Sequence, residues 1–288
     1  MPLVRLKPLL EDAKKNKYCI GSFNVFNMET LEGVIEAAVN ADSPVICGVY
    51  EPHMKYSSIE LFSNLVKDYA NKVNIPVVLH LDHAEEMASV VNAVKCGFTS
   101  IMYDGPRGIS YKEKIDRTKK VVEIAHSIDL TVESEIGRVT RVGVDDWKVN
   151  ENKTDPEMAR EFVEETGIDI LAPAVGSISG MGEQGAVLDL GLLEQIKEKT
   201  GCFLSLHGGS GVDDSVTRKL IDTGINKASV YTRISNIAVN RMGDLLKKGV
   251  PDLFGMMSVA RDVFREMVEN RLDVFGSKNR GAQPGAAD

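Results

Sequence analysis

Basic residues are outnumbered in this sequence: 34 Lys and Arg stand against 42 Asp and Glu, a formal net charge of −8. A nucleic-acid partner requires a positive face for its phosphate backbone, so that balance argues against one. Long uncharged apolar runs are missing, as is an Arg- or Lys-led apolar leader, so neither a membrane partner nor secretion is expected. Cysteine is sparse and dispersed. Cys19, Cys47, Cys96 and Cys202 lie far apart, in or beside apolar segments. Such spacing excludes a disulfide framework and a zinc knuckle, and reads as buried thiols in a reducing, cytoplasmic setting. No linker or composition shift splits the chain, and no GxGxxG follows the first apolar run, which removes the usual sign of a dinucleotide fold.

What is present is a regular alternation. Apolar runs of strand length occupy 18–25, 43–50, 75–83, 98–105, 129–137, 167–177, 202–211 and 225–232. They are mostly continuous rather than alternating, as strands buried on both faces are. Helical patterns lie between them at "METLEGVIEAAVNA" (28–41), "IDRTKKVVEIAHS" (115–127) and "DPEMAREFVEETG" (155–167). The last has an Asp cap, a Pro in its first turn and a closing Gly. Eight βα units within 288 residues fit a closed (β/α)8 TIM barrel of the α/β class, in count and in length. We expect one barrel domain over 1–275, including an extra C-terminal helical segment near 251–275, and a flexible Gly-, Pro- and Ala-rich tail over 276–288.

Barrel chemistry gathers where the strands end, because the βα loops converge there. Read at those ends, the polar residues are Asn24, Glu51, His53, Asp82, His83, Asp104, Glu133 and Glu135 from the first five strands. The last three supply Ser177, Ser179, His207, Ser210, Ser229, Tyr231 and Thr232. Carboxylates and imidazoles are costly to bury unless paired or metal-bound. Three of the five histidines at one rim therefore point to a metal or acid–base site.

Two motifs stand out. In "HLDHAEE" (80–86), alternation puts His80 and Asp82 on one face and Leu81 and His83 on the other. That rule relaxes at a strand end, where Asp82 and His83 could both reach the rim, as proton carrier and metal ligand; either could equally cap the next helix. In "HGGSG" (207–211) a histidine closes an apolar strand, and the glycines free backbone amides to face inward. With a helix beginning near Asp213, that is the composition of a phosphate cradle.

The segments "GSFNVFNMETLEGVIEAAVNADSPVI", "LHLDHAEE", "MYDG", "VESEIG", "TDPEMAREFVEETGIDILAPAVGS" and "LHGGSG" together resemble the class II, metal-dependent fructose/tagatose-bisphosphate aldolase family, in order and over almost the whole chain. The resemblance implies a lyase that cleaves or forms a carbon–carbon bond in a phosphorylated, or similarly acidic, ketose, by way of an enediolate of dihydroxyacetone phosphate. It implies a cofactor, Zn2+ or another divalent metal, and a cytoplasmic homodimer or homotetramer. In this sequence it makes His83 and His207 metal ligands and Asp82 the acid–base residue, with Glu135 and Asp104 beside the metal or at an alternative position for it. Asn24, Gly180, Gly208 and Ser210 fall among the substrate and phosphate contacts, and Ser179, Gly209, Ser229 and Thr232 are further candidates on that side.

The sequence also departs from the family pattern. The strand-six loop of the family ends in a histidine that is the third zinc ligand, where "VGSISG" has Ser179. A neutral hydroxyl is a poor zinc ligand beside imidazole. A lysine expected soon after Gly180 is absent from "MGEQG" (181–185). Ser229 stands for an Asn, and Tyr231 for a small or acidic residue. The mobile loop after strand five is replaced by "RVTRVGVDDW" (138–147), where Asp145 and Asp146 are the candidates to replace its acid. His53 or Glu135 could supply the missing ligand, and Arg138, Arg141 or Arg233 could grip an acidic substrate by a guanidinium fork. The alternatives are a metal-independent lyase and a non-catalytic homologue that binds a sugar phosphate or regulates an active enzyme.

Overall fold

The continuous apolar runs become short parallel strands covered on both faces. A computed structural model describes residues 3–137, 140–141, 153–176, 178–179, 188–249 and 252–282, by backbone alone at 140, 141, 178 and 179. Its eight barrel strands are β1 (Ile20–Asn24), β2 (Val45–Tyr50), β3 (Val77–Ala84), β4 (Ser100–Tyr103), β5 (Thr131–Ile136), β6 (Ile170–Pro173), β7 (Phe203–Leu206) and β8 (Ile225–Val230). They close in sequence order, with β1 paired in parallel to both β2 and β8. A (β/α)8 TIM barrel results, as the strand count predicts.

The local signals act as expected. Asp155 accepts the backbone N–H groups of Glu157 and Met158 ahead of α6 (Pro156–Thr166), and Gly167, at φ +71°, closes it. Asn27 and Thr30 form a capping box at the start of α2 (Met28–Asn40). Helix α1 (Leu6–Asn16), which the apolar runs do not announce, packs Leu6, Leu9, Leu10 and Ala13 against Ile20, Ile46, Val78 and Ile170 from the barrel strands. Val4 N–H donates to Val77 O and Lys7 N–H to Thr131 Oγ1, both at the strand starts. The N-terminal mouth is thereby filled, and the polar residues collect toward the other end.

The C-terminal helix α10 (Leu253–Phe275) packs along α2. Beyond it the chain is tied down where a tail was expected: Ser277 is buried, and Asn279 and Arg280 donate their N–H groups to Ala41 O and Asp42 O. Residues 283–288 lie outside the described residues.

The α2–α10 contact depends on Gly33. A Cβ there would sit 2.5 Å from Arg261 O and 2.7 Å from Phe264 Cβ. Gly33→Ala should therefore lower stability by about 1–2 kcal/mol, because overpacking outweighs the ~1 kcal/mol that alanine adds to a helix interior. A urea midpoint at or above that of the wild type would contradict this packing.

Candidate active site

The end of β3 sets the geometry. His83 has φ +54°, in the left-handed region, and the ladder to β4 slips between Leu81 and Ala84. A non-glycine residue held there costs about 1–2 kcal/mol, and strain of this kind collects at functional sites. Its effect is to break alternation, so that the consecutive side chains Asp82 and His83 both line one cleft. Neither caps the following helix, α4 (Met87–Lys95), whose N-cap is Glu86.

Six side chains then come together. Asn24 Nδ2 donates to Asp82 Oδ2 at 2.7 Å. His83 Nδ1 lies 2.7 Å from Asp104 Oδ2, and His207 Nε2 lies 2.8 Å from Glu133 Oε1. A carboxylate only accepts, so each ring nitrogen donates to it. The other two nitrogens, His83 Nε2 and His207 Nδ1, face each other at 3.0 Å. Two lone pairs so placed repel unless a proton or a cation lies between them. Asp82 Oδ1 and Asp104 Oδ1 are buried with no hydrogen-bond partner among the described residues. Asp82, His83 and His207 form one group able to hold a metal; His83, Asp104 and Glu135 form a second. Imidazoles backed by carboxylates, with oxygen donors beside them, suit a divalent ion.

Without a metal, a proton takes that place. Burial opposes charge on His83, but Asp82, Asp104 and Glu135 outweigh it and push its pKa up to about 10. Burial likewise works to raise Asp82, but His83, His207, Lys227 and His80 hold its carboxyl well below the usual range. Glu135 moves up, through burial and the neighbouring Asp104.

The cleft, about 250 Å³, runs from these groups to the glycine-rich loop after β7. Gly208 adopts φ +73°, and Gly209–Gly211 make a single 3-10 turn. Gly209 does not line the cleft; its missing side chain lets the loop lie on β8, where a Cβ would meet Ser229 O at 3.2 Å. The helix terminus at the cleft is that of α9 (Thr232–Lys247), since Thr232 lines it, whereas Asp213 and the helix that follows it, α8 (Asp214–Thr223), do not. The N-cap of α9, Tyr231, supplies no side-chain acceptor, so its first N–H groups are free of a cap. Ser229 Oγ lines the cleft and, though buried, has no partner among the described residues.

Of the other residues singled out from the sequence, Ser210 lines the cleft and accepts Tyr231 N–H at 3.3 Å. Glu51 is occupied elsewhere, accepting from Glu85 N–H and Ser89 Oγ. His53 joins neither donor group among the described residues; its ring packs edge-on against Phe26, Tyr50 and Tyr231. Arg233 is in the first turn of α9 and does not line the cleft. Ser177, Gly180, Arg138, Asp145, Asp146 and the side chains of Ser179 and Arg141 lie outside the described residues. The backbones of Arg141 and Ser179 pair in a two-residue parallel ladder beside the 209–211 turn. Sequence reasoning passed over Tyr50, which lines the cleft, and Lys227, which is fully buried beneath it. A lysine inside the apolar run "INKASV" was the available signal.

The family model described as "Fructose-bisphosphate aldolase class-II" matches residues 4–280. The chain belongs to the class II fructose-bisphosphate aldolase family. A fructose-bisphosphate aldolase of Staphylococcus aureus (strain N315) is 36% identical, over 97% of this chain and 99% of that protein. One from Staphylococcus epidermidis is 35% identical over the same shares. Among solved structures, the YdjI aldolase from Escherichia coli K12 is 30% identical with a TM-score of 0.85, covering 97% of this chain and all of that one. This family member is an aldolase-type carbon–carbon lyase, and class II aldolases are generally metal-dependent.

A pH dependence follows for the metal-free protein. His83 binds its proton more tightly folded than unfolded, so that contribution is complete below about pH 6.5 and is lost as the pH rises toward about 10. Across that window stability should fall by up to about 1.4 kcal/mol per pH unit, the limit for one proton. Urea unfolding in chelator at several pH values should show the slope in the wild type and its loss in His83→Ala; equal slopes would refute the assignment.

Proposed function

We propose that the chain is a divalent-metal aldolase, zinc being the first candidate, that cleaves a phosphorylated or similarly acidic ketose to dihydroxyacetone phosphate and an aldehyde. One observation supports this above the rest. Asp82 Oδ1, a carboxylate oxygen with no hydrogen-bond partner among the described residues, stands beside two facing imidazoles in the same cleft as a helix terminus without a side-chain cap. His83 and His207 would hold the ion, with Asp104 and Glu135 available as oxygen donors in place of the ligand missing at Ser179. A bound divalent cation polarises the ketose carbonyl and stabilises the negative charge left by carbon–carbon cleavage.

The chain's own residues do the remainder. Asp82, oriented by Asn24, takes the proton from the hydroxyl next to the breaking bond. Backbone N–H groups of Gly208 and Ser210 and the first turn of α9 hold the phosphate, with Ser229 and Thr232 as hydroxyl contacts. Tyr231 fills part of the cleft wall, which favours a substrate other than fructose 1,6-bisphosphate. Leu253 and Phe254, 76% and 79% exposed at the start of α10, support burial against another copy, as a homodimer or homotetramer. Free cysteines fit a cytoplasmic setting, and no described helix is long and apolar enough to cross a membrane.

Metal content per chain, after purification without chelator and supply of zinc, manganese or cobalt, comes first. We expect one tightly held ion, lost in His83→Ala and His207→Ala. Asp82→Asn should keep the ion and lower kcat on the cleaved ketose by about 10²–10⁴-fold. A folded protein that takes up no ion would end the metal reading. Full activity in Asp82→Asn would remove its proposed role.

A further inference from the structure

Beneath the cleft lies a buried polar chain that neither binding nor proton transfer uses. Lys227 is 0% exposed in the middle of β8, and its Nζ lies 2.6 Å from Glu133 Oε2 and 3.2 Å from His80 Nε2. His80 Nδ1 is 2.9 Å from Ser100 Oγ, which donates to Thr131 O at 3.3 Å. An ion pair so deep is a poor source of stability, since a well-packed apolar pair does as well. Its value lies in direction.

Every link has one allowed sense. An ammonium only donates, so His80 Nε2 must accept, and the single proton of that neutral ring sits on Nδ1, toward Ser100. Burial and Lys227 together keep His80 neutral. Glu133 only accepts. One of its oxygens is taken by Lys227, and the other, Oε1, accepts from His207 Nε2 at 2.8 Å. His207 Nε2 therefore carries a proton, and its Nδ1 faces His83. The partners come from β3, β4, β5 and β8 and the end of β7, so the chain spans the barrel interior.

We propose that Lys227 is a positioning residue: by holding Glu133 against His207 it sets the tautomer and aim of that imidazole, and so the metal affinity of the cleft. The affinity part rests on the metal reading above; the tautomer part does not.

Ring-nitrogen NMR of the metal-free, full-length protein labelled with 15N-histidine tests it. In the wild type His207 should carry its proton on Nε2 and His80 on Nδ1, and the opposite tautomer at either ring would overturn the proposal with no variant needed. In Lys227→Met, shown to be folded by circular dichroism, the His207 signals should move toward a tautomer mixture and cobalt should bind at least about tenfold more weakly. Lys227→Gln, which restores a donor to Glu133, should recover part of both. Unchanged His207 signals and cobalt affinity in folded Lys227→Met would also overturn it. A wild type that binds no cobalt would sink the metal reading while the nitrogen spectrum still decides the role of Lys227.

Discussion

Everything at the mouth of this barrel is arranged around two nitrogen atoms that face each other at 3.0 Å, His83 Nε2 and His207 Nδ1. Two neutral imidazoles whose protons are both held on the far nitrogens would present lone pairs to each other there. Each is forced into that position from behind by a carboxylate, Asp104 for His83 and Glu133 for His207. The carboxylates are themselves buried, and burial of a charge is tolerated only with partners. Hence the lysine under Glu133, and hence a backbone at His83 that accepts a left-handed conformation to bring its ring around. The strain and the buried charges are spent on one point in space, where positive charge is needed.

Much of this was legible in the chain, for different reasons. The barrel could be read because continuous apolar runs mark strands buried on both faces, and because α6 carries its cap, proline and closing glycine in seven-letter clarity at "DPEMARE" and Gly167. Asp82, His83 and His207 could be read because imidazole and carboxylate at strand ends are costly without a purpose. Three features were not legible. The strand end allowed Asp82 and His83 to reach the same rim, but the residue types do not show the means, a left-handed backbone of φ +54° at His83. The helix terminus at the cleft belongs to α9 because Gly209–Gly211 form a separate turn, a three-dimensional outcome that the glycine spacing does not specify. Lys227 was hidden by its neighbours: one charge in an apolar strand is counted as noise until the strand opposite is known to hold Glu133.

The site divides by position around the ring of strands. Oxygen and nitrogen donors come from β3, β4 and β5 and from the end of β7. The adjoining arc, β8 to β1 to β2, ends instead in Tyr231, Phe26, Tyr50 and His53, whose rings meet edge to face with centroids 5.0–6.3 Å apart. That arc also holds two of the departures from the family pattern, Ser229 and Tyr231. Of these four rings, Tyr50 and Tyr231 line the cleft, and both are pinned by His53. Tyr50 is the point where the halves meet, packing against both His53 and His83. The carboxylate-backed imidazoles thus stand on one side of the cleft, and the pinned rings of Tyr50 and Tyr231 form part of its wall on the other.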